Sequence, residues 1–250
     1  MELNKIYNED CLEGMKRIPD GSVDMILCDL PYGTTACKWD TIIPFEPLWE
    51  QYERVVKDNG AIVLTASQPF TSTLVMSNLR WFKYALVWDK VNASSGLHAK
   101  IQPLRSHEEI LVFGKGRLTY NPQMTKAEKD RVDKAREIPN GEAFNGKVTK
   151  RIYNNHGMKY PKSILTISNA SQKGKVHPTQ KPVALFEYLI KTYTNEGETV
   201  LDNCMGSGTT AIASMRTGRN YIGFELDEEY YKLAQKRIID ENNHLESQSL

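Results

Sequence analysis

A short apolar run that ends abruptly in polar and aromatic residues is the feature that most constrains the fold of this chain. The segment Val23–Cys28 has the length of a buried parallel strand, and the tetrapeptide Asp29-Leu30-Pro31-Tyr32 follows it directly. In open α/β sheets, ligands bind in the crevice outside the carboxyl ends of the strands. The sequence therefore predicts a ligand-binding edge at this tetrapeptide.

The residues of the tetrapeptide can together hold a planar ring that carries an amino group. The carboxylate of Asp29 accepts hydrogen bonds, and the carbonyl of Leu30, held extended by Pro31, is a second acceptor. Tyr32 can stack on the ring, as aromatic side chains do around an extruded nucleobase. The alternative is an ordinary turn after a strand, so the rest of the chain has to decide between the two interpretations.

Size and composition favour one α/β domain with an inserted lobe, because 250 residues with 40% hydrophobic content can bury a full core. No apolar segment approaches the roughly 18 residues of a membrane span, and the first residues do not resemble a signal peptide, so we expect a cytoplasmic protein without a membrane partner. The four cysteines lack the spacing of metal ligands or of a disulfide framework, so no metal site is expected. Cys28 and Cys204 are predicted to pack in the core.

Strand and helix patterns alternate on both sides of a long irregular segment. Strands are predicted at residues 5–8, 23–28, 61–64, 84–88, 109–113, 198–201 and 219–224. Helices are predicted at residues 11–18, 47–57, 70–78, 184–193, 207–217 and 227–239. This alternation is typical of a doubly wound, mainly parallel α/β sheet, here with seven strands. Residues 1–113 and 176–240 are then two halves of one domain, and residues 241–250 form a polar, frayed tail.

The irregular segment Gly114–Lys175 differs from the rest of the chain in its charge. It contains fourteen lysines and arginines but only five acidic residues, whereas the net charge of the whole chain is +1. Aromatic side chains recur among these cations, which favours contact with phosphates and bases. A solvated surface insertion with a small core of its own has the same composition. Because a structureless loop of this length is unusual in a compact domain, we expect a separate lobe.

A second predicted strand end carries a glycine-rich turn with Gly206 and Gly208. Glycines let the backbone approach a ligand closely, and the amino terminus of the helix that follows offers free N–H groups. Neither a Walker lysine nor the full G-x-G-x-x-G pattern is present, which argues against an ATPase or a plain dinucleotide site. Glu225, at the end of the next strand, can bind both hydroxyls of a ribose, and Asp202 can hold an ammonium group. The pair favours a nucleoside that carries a charged amino acid.

Three segments of the sequence, taken in order, resemble the S-adenosylmethionine-dependent DNA amino-methyltransferases: Asp29–Tyr32, His177–Pro182 and Leu201–Thr209. The order of catalytic segment, basic insertion and cofactor loop is similar to the β group of the N6-adenine and N4-cytosine enzymes. The resemblance covers nearly the whole chain and is weakest over Gly114–Lys175. It implies the Rossmann-like methyltransferase fold, with Gly114–Lys175 as an inserted target-recognition lobe.

The resemblance also implies roles for individual residues. Asp29, Leu30, Pro31 and Tyr32 would form the catalytic segment, although the family usually has proline where this chain has Leu30. The residues that it assigns to the cofactor are Asp10, Lys181, Asp202, Gly206, Gly208, Thr209 and Glu225. Asp10 would lie near the adenine of the cofactor, and an N-cap of the following helix explains it equally well. Lys181 would meet the methionine carboxylate, and the alternative is a surface lysine in a rigid turn.

The reaction implied by the resemblance is methyl transfer from S-adenosylmethionine to the exocyclic amino group of a flipped base in double-stranded DNA, as in restriction-modification systems. An aspartate at the first motif position, Asp29, resembles the N6-adenine enzymes more than the N4-cytosine enzymes. Direct transfer to an amino nitrogen requires no covalent enzyme intermediate, unlike C5 methylation by a cysteine nucleophile, and nothing flanks Cys28 or Cys37 to activate either thiol. N4-cytosine methylation, a non-catalytic nucleic-acid-binding role, and methylation of RNA or of a protein amide remain alternatives. Relatives in the β group often dimerise, so a homodimer is compatible with the resemblance.

Overall fold

The computed structural model describes residues 1–34, 40–94, 96, 99–127, 157–169 and 180–248. The chain divides into two compact units, of which the larger comprises Met1–Asn121 and Ser163–Leu250. The smaller unit, Pro122–Lys162, contains a short antiparallel pair of strands within its described part. A charged stretch at residues 126–136, for which the sequence also predicts a helix, lies almost entirely outside the described residues.

An eight-stranded sheet forms the centre of the larger unit. In chain order the strands of the protein are β1 (Lys5–Tyr7), β2 (Val23–Asp29), β3 (Val56–Ala66), β4 (Phe82–Ser94), β5 (Arg105–Phe113), β6 (Thr125–Lys126), β7 (Met158–Lys159), β8 (Ile164–Thr166), β9 (Thr199–Asp202) and β10 (Asn220–Phe224). The sheet runs in the order β1-β10-β9-β2-β3-β5-β4-β8, and β6 pairs with β7 in the smaller unit. Among these eight strands β5 is antiparallel to both of its neighbours and all other pairs are parallel. This arrangement confirms the predicted doubly wound, mainly parallel sheet.

The strand count differs from the seven that the sequence predicts, because the short strand β8 adds an eighth. Three residues are too few for a visible hydrophobic period, and β8 is ordered by its parallel pairing with β4. Leu165, at its centre, is buried near Trp88 in the same hydrophobic cluster. Strands β3 and β4 also extend beyond the predicted runs, because pairing continues past the apolar residues that signal a strand.

Six helices flank the sheet within the described residues: α1 (Cys11–Met15), α2 (Phe45–Val55), α3 (Phe70–Ser77), α4 (Val183–Tyr193), α5 (Thr209–Arg216) and α6 (Glu228–Gln248). Helix α6 continues well past its predicted end at residue 239 and includes residues that were expected to fray. Arg216 of α5 stabilises the first part of this extension, since its guanidinium donates two 2.7 Å hydrogen bonds to the carboxylate of Glu241. No helix in the described ranges is long and apolar enough to cross a bilayer.

Side chains that alternate along the central strand β2 supply both hydrophobic layers. Ile26 and Cys28 pack on one face with residues of α1, α2 and α3. Met25 and Leu27 point to the other face and join the cluster that contains α4 residues and Ala213 of α5. The carboxyl ends of β1, β10, β9, β2 and β3 consequently meet at one edge of the sheet. The amino-terminal half of the antiparallel strand β5 reaches the same edge, which is where the site lies.

Candidate active site

A cavity of about 970 Å³ opens at the carboxyl edge of the parallel strands. Residues of the predicted catalytic segment and of the predicted cofactor loop both line it. The predicted residues in its wall are Asp10, Asp29, Leu30, Pro31, Tyr32, Lys181, Asp202, Gly206, Thr209 and Glu225. The structure thus brings together in one cavity two segments that are more than 150 residues apart in the chain.

Asp29 ends strand β2 and projects into the cavity with both carboxylate oxygens engaged. Its Oδ1 accepts hydrogen bonds from the hydroxyl of Tyr32, at 2.8 Å, and from the hydroxyl of Thr65. Thr65 is the register partner of Asp29 on the neighbouring strand β3, so the parallel pairing itself holds the two side chains together. The other oxygen, Oδ2, accepts a 2.7 Å bond from the ammonium of Lys181. The carboxylate is therefore fixed in orientation before any ligand arrives.

Tyr32 packs its ring against Phe70, with centroids 5.2 Å apart and planes 25° from parallel. Burial raises the pKa of Tyr32 well above its usual value, and the carboxylate of Asp29 raises it further. The hydroxyl therefore stays protonated and donates to Asp29. Leu30, the one position of the tetrapeptide that departs from the family pattern, is buried at 4% exposure, so its side chain contributes to the hydrophobic core.

Lys181 precedes the N-cap of α4 and is buried, with only 7% of its side chain exposed. The alternative of a surface lysine in a turn is therefore wrong. Its ammonium bonds to Asp29 and lies 3.3 Å from Oε2 of Glu108, and Glu108 pairs through Oε1 with Lys90 at 2.5 Å. Burial disfavours the charged form, but Asp29 and Glu108 outweigh it, so the pKa of Lys181 is raised. The predicted contact of Lys181 with a methionine carboxylate stays a prediction.

The glycine turn at the other end of the cavity has the backbone that its sequence predicts. Gly206 and Gly208 both have positive φ angles, +53° and +85°. Gly208 is the N-cap of α5, and a Cβ there would lie 3.1 Å from Cβ of Ala234 in α6, so glycine is also required for helix packing. Gly208 itself does not line the cavity among the residues described. Its role is to shape the turn that Gly206 and Thr209 present to the cavity.

Two carboxylates flank this turn. The Oδ1 of Asp202 accepts a 3.0 Å bond from the backbone N–H of Cys204, and its Oδ2 accepts from the hydroxyl of Thr210. Burial outweighs these bonds and raises the pKa of Asp202 to about 6. Glu225 accepts a 2.7 Å bond from the N–H of Gly206, and burial raises its pKa as well. Buried or partly buried carboxylates that have no cationic partner among the described residues are suited to a ligand with donors and positive charge.

Asp10 has the capping geometry expected from local pattern. Its Oδ1 accepts from the backbone N–H groups of Leu12, at 2.8 Å, and Glu13, at 3.2 Å, and so begins helix α1. The same residue lines the cavity beside Glu225, so capping and ligand contact are compatible.

The pKa values of the described cysteines are raised and not lowered, so none of these thiols is activated as a nucleophile. Cys28 is fully buried, and burial raises its pKa to about 12, so it remains an unreactive thiol in the core. Cys204 is partly buried and lines the cavity instead of packing fully in the core as predicted. It lies two residues after the end of β9, in the turn that leads to Gly206. Cys37 lies outside the described residues. Within the described residues, no group of three or more His, Cys, Asp or Glu side chains could hold a metal ion.

Comparison with known proteins agrees with this geometry. The sequence profile of the DNA methylase family that covers N6 and N4 methylation matches residues 23–236. The chain belongs to this family of DNA amino-methyltransferases. The profile spans both the catalytic segment and the cofactor loop, so the family assignment rests on the same residues that line the cavity.

Individual relatives match over nearly the whole methyltransferase chain. The DNA adenine methyltransferase YhdJ of Escherichia coli is 30% identical over 271 residues, which cover 100% of this chain and 87% of the relative. The type II methyltransferase M1.MboII of Moraxella bovis is 27% identical over 257 residues, 94% of this chain and 96% of the relative. The crystal structure of an M1.HpyAVI–SAM complex has a TM-score of 0.61 and 26% identity, covering 93% of this chain and 98% of that chain.

Several polar residues of this methyltransferase site were not among the predicted site residues, among them Thr65, Lys90 and Glu108. Lys90 and Glu108 flank the apolar runs that predicted their strands, and a charged residue at a strand end is a usable signal. Finding Glu108 also requires knowing that β5 runs antiparallel, because only then does the start of that strand face the cavity. Residues 177–179 of the predicted His177–Pro182 segment lie outside the described residues.

Proposed function

We propose that this DNA amino-methyltransferase transfers a methyl group to N6 of adenine in double-stranded DNA. The observation that carries the proposal is the shared cavity: the acid that would bind the target amino group and the loop that would bind the methyl donor line the same space. Direct transfer requires donor and acceptor atoms in contact and in line, which a single cavity permits.

The methyl donor of the family is S-adenosylmethionine, and the residues at the glycine turn fit it. Asp202 is a buried carboxylate with a raised pKa and no cationic partner among the contacts described, as expected of a residue that receives the amino-acid ammonium. Glu225 would exchange its bond to the Gly206 N–H for the ribose hydroxyls. Asp10 would lie near the adenine of the donor. When bound, the donor supplies an electrophilic methyl group on a sulfonium.

The chain's own part in the reaction is to orient the target base and to stabilise charge on its amino nitrogen. That nitrogen becomes cationic as it takes the methyl group from the sulfonium sulfur, and it then releases one proton to solvent to give the neutral methylamino product. The carboxylate of Asp29 and the carbonyl of Leu30 would each accept a hydrogen bond from the amino group. These two bonds would direct the lone pair of the nitrogen to the methyl carbon. Tyr32, already backed by Phe70, would pack against the flipped base. The thiols take no part, because the reaction has no covalent enzyme intermediate.

The choice of adenine rests on two observations. The first position of the catalytic tetrapeptide is an aspartate, Asp29, which resembles the N6-adenine enzymes more than the N4-cytosine enzymes. The 30% identical relative YhdJ is named a DNA adenine methyltransferase. Recognition of the DNA sequence is assigned to the basic segment Gly114–Lys175, and a homodimer is part of the same proposal.

Product analysis tests this function. The purified chain is incubated with methyl-labelled S-adenosylmethionine and plasmid DNA, with RNA of similar length as the parallel acceptor, and the nucleosides are separated by mass. We expect label in N6-methyldeoxyadenosine from DNA and none from RNA. Label in N4-methyldeoxycytidine would replace adenine by cytosine as the target. Cofactor binding without transfer to either polymer would support a non-catalytic binding protein and would contradict the proposal.

A further inference from the structure

Four charged side chains of alternating sign form a row of ion pairs that ends at the catalytic acid. Lys90 pairs with Glu108 at 2.5 Å, Glu108 lies 3.3 Å from Lys181, and Lys181 bonds to Asp29 at 2.7 Å. Lys90 is 10% exposed, Lys181 7% and Glu108 14%. Buried charges are tolerated only when they are paired, so a change at one of these four side chains affects the other three.

One oxygen in this row of ion pairs lacks a hydrogen bond within the described part of the chain. The Oε2 atom of Glu108 is buried and accepts no hydrogen bond from the described residues, although the Lys181 ammonium is close enough for an ion pair. The ammonium is held instead by Asp29. A buried, charged acceptor without a hydrogen bond is unfavourable, and such an atom needs an explanation in function or in a second conformation.

The catalytic acid presents the complementary problem. In this structure Oδ1 of Asp29 is occupied by Tyr32 and Thr65, and Oδ2 by Lys181. These three donors use three of the roughly four lone-pair sites of the carboxylate, so a target amino group has to compete with them for the two oxygens. Lys181 is the donor with a second acceptor within reach, because a small rotation of its side chain would shift the ammonium to Oε2 of Glu108.

We propose that Glu108 is a positioning residue that takes over the Lys181 ammonium when Asp29 accepts a hydrogen bond from the target amino group. Before DNA binds, the Lys181 ammonium stands in for the cationic amino nitrogen as the partner of Asp29. Glu108 makes the release of that ammonium from Asp29 favourable. Lys90 neutralises Glu108 in both states. This inference rests on the proposed function, since the event that displaces Lys181 is the arrival of the target base.

Single-turnover methyl transfer with saturating cofactor and DNA tests the proposal. In Glu108→Gln the ammonium loses its second carboxylate and stays on Asp29, so the transfer rate should fall by roughly 100-fold, while the cofactor Kd stays within about twofold. Glu109→Gln is the matched control: it is the same substitution on the next residue, whose carboxylate accepts from Thr71 and does not line the cavity. The control should methylate at the wild-type rate.

Two further variants separate this role from a structural one. The double variant Lys90→Met with Glu108→Leu replaces the outer ion pair by apolar groups and keeps the net charge unchanged. It should therefore fold even if Glu108→Gln does not, and we expect the same loss in transfer rate. In a Lys181→Met background, Glu108→Gln should have no further effect, because Glu108 acts through Lys181. An unchanged rate in Glu108→Gln, or an equal loss in both backgrounds, would overturn the role of Glu108. No methylation by the wild-type protein would instead overturn the proposed function.

Discussion

The substitution Asp202→Asn should make the folded protein more stable and at the same time weaken its cofactor binding. Asp202 is 2% exposed, and its carboxylate accepts bonds from Cys204 and Thr210 without a counter-charge among the contacts described. An asparagine has the same shape. Its oxygen can accept from the Cys204 N–H, and its amide can donate to the Thr210 hydroxyl. The substitution therefore removes a buried charge while it keeps the hydrogen bonds.

The size of the effect follows from the pKa of Asp202, which burial raises from 3.8 to about 6. A raised carboxylate pKa means that the folded state binds the proton more tightly than the unfolded state. Ionisation of Asp202 therefore lowers the stability of the protein as pH rises from about 4 to about 6. Above that window the cost of the buried charge is about 3 kcal/mol, and at about pH 5 it is roughly half as large. For a chain of this size, about 3 kcal/mol corresponds to a rise in Tm of roughly 6–12 °C.

Urea unfolding of wild type and Asp202→Asn at about pH 5 and about pH 7.5 measures this difference. We expect the asparagine variant to be more stable at both values, with the larger gain at the higher pH. Asp240→Asn, an exposed position on α6, is the control and should change neither. Titration with S-adenosylmethionine should show at least about tenfold weaker binding to Asp202→Asn, and wild-type binding should weaken below about pH 6. A gain independent of pH, or none, would refute the argument from a buried carboxylate.

Two other predictions concern the glycine turn and the aromatic of the catalytic segment. Gly208→Ala should destabilise the protein by about 1–3 kcal/mol and weaken cofactor binding, because its φ is +85° and the new Cβ would crowd Ala234. The control Gly197→Ala, at a φ of +79° with open space around it, should affect stability alone. Thermal melts and cofactor titrations measure the two effects. Tyr32→Phe removes a bond to the Asp29 carboxylate and should slow methyl transfer about tenfold without changing cofactor affinity, and Tyr32→Leu should slow it further; equal rates for both variants would contradict a stacking role for the ring.

The parts of the fold that the sequence predicts are those with local signals. The apolar run Val23–Cys28 and the acid after it predict both β2 and the position of Asp29, because period and strand length are local properties. The positive φ angles at Gly206 and Gly208 are likewise expected from a strand that turns directly into a helix.

The rest of the site depends on sheet order, which the local pattern does not contain. Thr65 reaches Asp29 only because β3 lies beside β2 in register, and Glu108 faces the cavity only because β5 is antiparallel. Lys181 was recognised as a site residue through the family resemblance, but its ion pair with Asp29 spans 152 positions of the chain. Long-range pairs of this kind become visible only when the fold is known.

The most direct test of the central claim is methyl transfer to DNA by Asp29→Ala, measured together with its affinity for S-adenosylmethionine. The claim is that Asp29 acts on the target amino group and the glycine turn holds the donor, within one cavity. We expect the variant to bind the donor within a few-fold of wild type, since the contacts of Asp202 and Glu225 are unchanged, and to transfer no detectable methyl group. Transfer at the wild-type rate by Asp29→Ala would contradict the claim.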